Sequence, residues 1–150
     1  MTPRTIVLDA NVLMRAVLGR RVAGLLETFA AQVTFLAPEM AFDDVREHLA
    51  AVLSKRGESA ALQPALDKLA ALRSVVQSVD HTEYEAMQSA ALARIGPRDP
   101  DDWPILACAL LLNCPIWTED RDFFGTGVAT WTTALVELYF TEPSPGSADH

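Results

Sequence analysis

Residues 5–13 read Thr5-Ile6-Val7-Leu8-Asp9-Ala10-Asn11-Val12-Leu13. Ile6, Val7 and Leu8 form an unbroken apolar run with β-branched members, which reads as a strand buried on both faces. Asp9 ends it, and a helical stretch follows. A strand of this kind belongs inside a parallel sheet covered by helices, so the rest of the chain should alternate between the two.

It does. Val33 to Leu36 is a second short strand, stopped by Pro38. Residues 39 to 54 carry Phe42, Val45, Leu49, Val52 and Leu53 at helical spacing, with Gly57 as the stop. Leu62, Leu66, Leu69 and Leu72 mark a helix over about 59–73, and Ser74 to Val79 a strand. Thr82 to Ile95 reads as one helix with Thr82 as cap and Glu85 three residues on, ended by Gly96-Pro97. A helix over about 102–113, a strand at Pro115 to Thr118, a helical turn at 121–124, a strand near Val128-Ala129 and a helix over about 133–139 complete the pattern. The fold class is α/β. One domain over 1–140 is expected, with a disordered tail over 141–150 that holds two prolines and no large apolar residue.

Composition narrows the function. The longest unbroken apolar run, Ile105 to Leu112, spans eight residues, against the roughly 18 to 20 of a membrane-spanning helix. The start of the chain is unlike a signal peptide, so the expected location is cytoplasmic. Two cysteines, Cys108 and Cys114, and three scattered histidines build neither a disulfide scaffold nor a structural zinc site. Twenty acidic residues against twelve basic ones give a formal charge of −8. Binding nucleic acid through a broad basic face is excluded; bound cations or local arginines would have to offset the repulsion.

The acids have a pattern. Asp9 closes the first strand, Glu119-Asp120-Arg121-Asp122 follows Ile116-Trp117-Thr118, and Asp99-Pro-Asp101-Asp102 opens the helix that leads to it. In an open parallel sheet, ligands sit in the crevice beyond the carboxyl ends of the strands, and there these acids converge. Carboxylates about 4 Å apart repel by roughly 4 kcal/mol per pair at an effective dielectric of 20. The only lysines, Lys55 and Lys68, fall on helices elsewhere. A divalent cation is the natural counter-charge, and an all-oxygen site selects Mg²⁺ or Mn²⁺. Such ions activate water and steady the leaving oxygen in phosphodiester cleavage.

Val7-Leu8-Asp9-Ala10-Asn11-Val12-Leu13, Pro38-Glu-Met-Ala-Phe-Asp43-Asp44-Val45, Asp99-Pro-Asp-Asp102-Trp-Pro-Ile-Leu-Ala107 and Trp117-Thr118-Glu-Asp120-Arg-Asp122-Phe together resemble the ordered motifs of PIN-domain nucleases, over about residues 5–135. The resemblance implies a parallel sheet flanked by helices and a Mg²⁺- or Mn²⁺-dependent ribonuclease. Many small members are toxins neutralised by an antitoxin, so the implied partners are an RNA substrate, an antitoxin protein and a second copy of the chain. The implied catalytic acids are Asp9, Asp44, Asp102 and Asp120, with Asp9, Asp102, Asp120 and Asp122 on the metal and Asn11 and Thr118 in support. The family's second acid is usually Glu, where this chain has Asp44; Glu47 is the nearest downstream alternative. On a helical wheel Asp44 lies roughly 125° from the centre of the apolar stripe and Glu47 roughly 175°, which favours Asp44. A catalytically inactive RNA- or protein-binding module is the alternative from another class.

Overall fold

The computed structural model describes residues 4–142. Five strands, β1 (Arg4–Leu8), β2 (Val33–Pro38), β3 (Val76–Val79), β4 (Ile116–Trp117) and β5 (Thr130–Trp131), make one sheet in the order β3-β2-β1-β4-β5, and every pairing is parallel. Helices α1 (Ala10–Leu18) and α2 (Arg21–Phe29) connect β1 to β2; α3 (Glu39–Lys55) and α4 (Leu62–Leu72) connect β2 to β3. From β3 the chain runs through α5 (His81–Tyr84), α6 (Gln88–Ile95) and α7 (Trp103–Leu112) to β4, and α8 (Val136–Thr141) follows β5. The expected α/β architecture, a central parallel sheet flanked by helices, is the architecture found.

The strand order locates the site. The chain builds outward from β1 through β2 to β3, then returns to the other side of β1 to lay down β4 and β5. Connections leave the carboxyl ends of β1 and β4 in opposite directions, which opens a crevice between them. Ile6, Val7 and Leu8 are fully buried, as an apolar run on a central strand must be. Helix α7 is buried from Pro104 to Ala109 and packs on β1 and β2; a helix apolar on every side has no face to give to water. Trp117, also fully buried, donates from Nε1 to Thr133 Oγ1 at 3.0 Å, which satisfies its one polar atom, and its ring meets Phe35 and Phe140.

Three boundaries differ from the sequence expectation. The helix expected over Thr82–Ile95 is α5, a 3₁₀ turn (Glu85–Met87) and α6; Asp80 precedes it, and Thr82 Oγ1 donates to Asp80 Oδ2 at 2.6 Å instead of capping a backbone N–H. The last strand lies at Thr130–Trp131, two residues beyond Val128-Ala129, where pairing with Ile116 and Trp117 fixes it. Helix α8 extends to Thr141, and residues 143–150, which hold most of the expected tail, lie outside the described residues. Among the described residues no helix is long and apolar enough to cross a membrane.

Candidate functional site

Asp9 turns β1 into α1. The register sets Leu8 beside Trp117, and the Asp9 N–H donates to the Trp117 carbonyl at 3.3 Å, which brings Asp9 next to Thr118 at the mouth of the crevice. As N-cap of α1, Asp9 accepts the Val12 N–H on Oδ1 at 2.8 Å; Oδ2 accepts the Thr118 hydroxyl. Thr118 Oγ1 in turn accepts the Asp120 N–H at 2.9 Å, and Asp120 Oδ1 accepts the Asp122 N–H at 2.9 Å. One chain of bonds thus orients the acids of both strand ends. Each Asp9 oxygen keeps a lone pair for a further partner.

Only 6% of Asp9 is exposed. Loss of water pushes its carboxyl up to about 6, against the pull of the Thr118 and Val12 bonds, and the Asp120 and Glu119 charges add to the rise. In front of it, Asp99, Asp102 and Asp120 each bring a carboxylate oxygen within 4.8 Å of the others. Burial, a hydrogen bond with Asp99 and the charges of Asp99, Asp120 and Asp9 drive Asp102 up to about 8. Asp122 is pushed up as well, by loss of water and by Asp120 and Asp99.

This group suits a divalent cation. Among the described residues no Lys, Arg or His forms an ion pair with Asp9, Asp99, Asp102, Asp120 or Asp122. The guanidinium of Arg98 is committed to the Ile95 and Phe124 carbonyls, at 3.3 and 2.5 Å, and Arg15 lies 4.0 Å from Glu119. All donors are carboxylate oxygens, the ligand set of a hard cation.

Of the acids singled out from the sequence, Asp102 and Asp120 stand in the three-carboxylate group, and Asp9 and Asp122 adjoin Asp120 through the chain of bonds that runs from Thr118. Asp44 stands apart from the three-carboxylate group, half-buried on the wall of a neighbouring cleft of about 680 Å³ that runs between α1, α3 and the turn into α7. Loss of water raises its carboxyl, helped by Glu47, Asp43 and Asp101 and opposed by His48. Glu47 is exposed on α3, and Asn11 is exposed at the cleft's lip. The bonds that orient Asp9 come from Val12 and Thr118.

Asp99 lies outside the ligand set that the family resemblance implies, yet it stands in the three-carboxylate group. It precedes a 3₁₀ turn (Pro100–Asp102) and its carbonyl accepts the Asp102 N–H at 3.2 Å. Asp99 stands just before the turn, and the bond from the Asp102 N–H to its carbonyl brings the two residues side by side. The signal was the spacing in Asp99-Pro-Asp-Asp102, two acids three apart across a proline at a helix start.

The fold has solved counterparts. The crystal structure of VapBC2 from Rickettsia felis bound to a DNA fragment from the promoter matches with a TM-score of 0.61 and 15% identity, over 85% of this chain and 98% of that one. A toxin–antitoxin complex from Klebsiella pneumoniae matches with a TM-score of 0.54 and 21% identity, over 85% and 97%. No curated protein matches the sequence. The sequence pattern of the PIN domain matches residues 7–141, from within β1 to the end of α8 and across every acid described above, and the chain belongs to the PIN domain family.

Proposed function

We propose that the protein is a Mg²⁺- or Mn²⁺-dependent endoribonuclease that hydrolyses RNA phosphodiester bonds in the cytoplasm, as the toxin of a toxin–antitoxin pair. The observation that carries the reading is the group of Asp99, Asp102 and Asp120, within 4.8 Å of one another, beside the buried Asp9. Asp102, Asp120 and Asp99 would hold the metal, with Asp9 and Asp122 completing the acidic wall around it and Thr118 fixing the direction of Asp9. Such an ion supplies polarisation of the phosphoryl oxygens and of a water molecule. The chain's own residues would bind and orient it, and Asp44 lines the cleft beside them. The antitoxin partner is supported by the fold, which it shares with two toxin–antitoxin assemblies.

Incubation of the purified protein with several unrelated single-stranded RNAs tests the reading. Cleavage is expected in millimolar Mn²⁺ or Mg²⁺ and none in EDTA. RNAs left intact in Mn²⁺ would favour a binding module that has kept the acids without the activity.

A further inference from the structure

The cleft beside the acids has a composition unlike theirs. Its floor and walls are Met14 from α1, Met40 and Val52 from α3 and the indole of Trp103. Its polar groups are Asn11 at the lip, Asp44, Asp101 and His48, and no Lys or Arg lines it. At about 680 Å³ it falls within the range of small-molecule pockets, roughly 300–1,000 Å³. The cleft is continuous with the acidic group through the backbone: Ala10 and Asn11 follow Asp9, and Asp101 precedes Asp102.

We propose that this cleft takes one unpaired base of the RNA strand, next to the phosphate held at the acids, stacking it on Trp103 and reading its edge with Asp44, Asp101 and His48. The inference rests on the nuclease reading above and adds what part of the substrate lies where. Charge decides the orientation. A phosphate entering a space walled by two carboxylates and no fixed cation is repelled, so a strand crossing this surface turns its neutral base inward and its backbone outward. An apolar floor with an aromatic plane is a stacking platform. Trp103 is held for that use: its ring packs edge-on against Tyr84 at 5.5 Å and His81 at 6.0 Å, and it is half-buried.

The edge groups carry a preference. The Asp44 backbone carbonyl can only accept, so His48 Nδ1, 2.7 Å away, carries the hydrogen, and in the neutral ring Nε2 is left as an acceptor. With the two carboxylates this makes the polar lining acceptor-rich. Adenine, cytosine and guanine present an exocyclic amino group to it; uracil presents a carbonyl on either side of its one N–H and is disfavoured.

Fluorescence titration of the whole protein with short single-stranded RNAs in Ca²⁺, with a single abasic nucleotide moved along the strand, tests the proposal. One position is expected to weaken binding about fivefold to tenfold and to lose quenching of tryptophan fluorescence, the others to matter little. Uridine in place of cytidine at that position should weaken binding in the same direction. His48→Ala, an exposed position on α3, and Trp103→Leu should each shrink the single-position penalty. A penalty equal at all positions, one unchanged in both variants, or no binding of any strand overturns the proposal and leaves the cleft for a protein segment. Cleavage is read separately: a wild type that cuts in Mn²⁺ without a positional penalty refutes the base pocket alone. One that shows the penalty and never cuts refutes the nuclease reading alone.

Discussion

Asp9→Asn should make the metal-free protein more stable at neutral pH while removing a central acid of the site. The Asp9 carboxyl titrates at about 6 in the folded protein against 3.8 ordinarily, with burial as the largest cause. At about 1.4 kcal/mol per tenfold change, that difference corresponds to about 3 kcal/mol. The sign follows from which state holds the proton. Between 3.8 and about 6 the folded state binds it more tightly, so Asp9 costs nothing below pH 3.8, and its penalty grows as pH rises and is complete above the folded value. Asn keeps the N-cap, since its carbonyl oxygen can accept the Val12 N–H, while the bond from Thr118 must be rearranged, a loss of about 1 kcal/mol. The net gain is about 2 kcal/mol at pH 7, or roughly 4–8 °C in Tm for a chain of this size. Thermal melts of both proteins in EDTA at pH 4 and pH 7 measure it. The variant should melt above the parent at pH 7 and at or below it at pH 4. A variant that melts lower at both values would mean that the ionised carboxylate holds α1 and β4 together as a structural cap, and that the electrostatic argument fails.

Three further outcomes follow from the same geometry. Because Asp102 titrates at about 8, a cation must displace its proton, so the rise in Tm produced by Mn²⁺ should be larger at pH 8 than at pH 6; equal shifts at both values would remove Asp102 from the ligand set. Asp99→Asn should weaken Mn²⁺ binding about tenfold, equivalent to about 1.4 kcal/mol, more than Asp44→Asn does, with Glu47→Gln near the parent in calorimetric titration. Gly127→Ala should destabilise the fold by roughly 1–2 kcal/mol in chemical denaturation, since Gly127 has φ +86 and an added Cβ would lie 3.0 Å from Nη1 of Arg94, whose guanidinium donates to the Thr126 carbonyl.

Much of this fold is written in local pattern. Ile6-Val7-Leu8 reads as a central strand and is one, and of the Phe42, Val45, Leu49, Val52 and Leu53 stripe that predicts α3 all but Val52, half-buried on the cleft, are fully buried. What pattern misses is set by tertiary pairing or by turns. β5 is two residues long and owes its place to the register with β4. The helix expected from Thr82 starts one residue earlier, after Asp80, whose carboxylate takes the Thr82 hydroxyl, and a 3₁₀ turn at Glu85–Met87 divides it. In the site, acids at strand ends are legible because a parallel sheet gathers strand ends. Asp99 is legible only as one more acid ahead of a helix, because its place beside Asp102 depends on a turn that no periodicity announces. The position of Asp44 is half legible: the helical wheel sets it on the flank of α3, but only packing of α3 against α1 shows that this flank lines the cleft.

Thr118 is where fold and site meet. Its hydroxyl donates to Asp9 and accepts from the Asp120 N–H, so a single side chain spans the junction of β1 and β4, the two strands from which the chain departs in opposite directions. Any slip of β4 along β1 would carry Thr118 and Asp120 together away from Asp9 and break the Thr118–Asp9 bond, while the fully buried Trp117 beside it, anchored to Thr133, resists that slip. The backbone register delivers Asp9 and Asp120 to one another, the turn into α7 adds Asp99 and Asp102, and their mutual repulsion is strain held by the buried core beneath. A bound cation would relieve that strain without moving the backbone, which makes metal affinity and folding stability two readings of one set of charges.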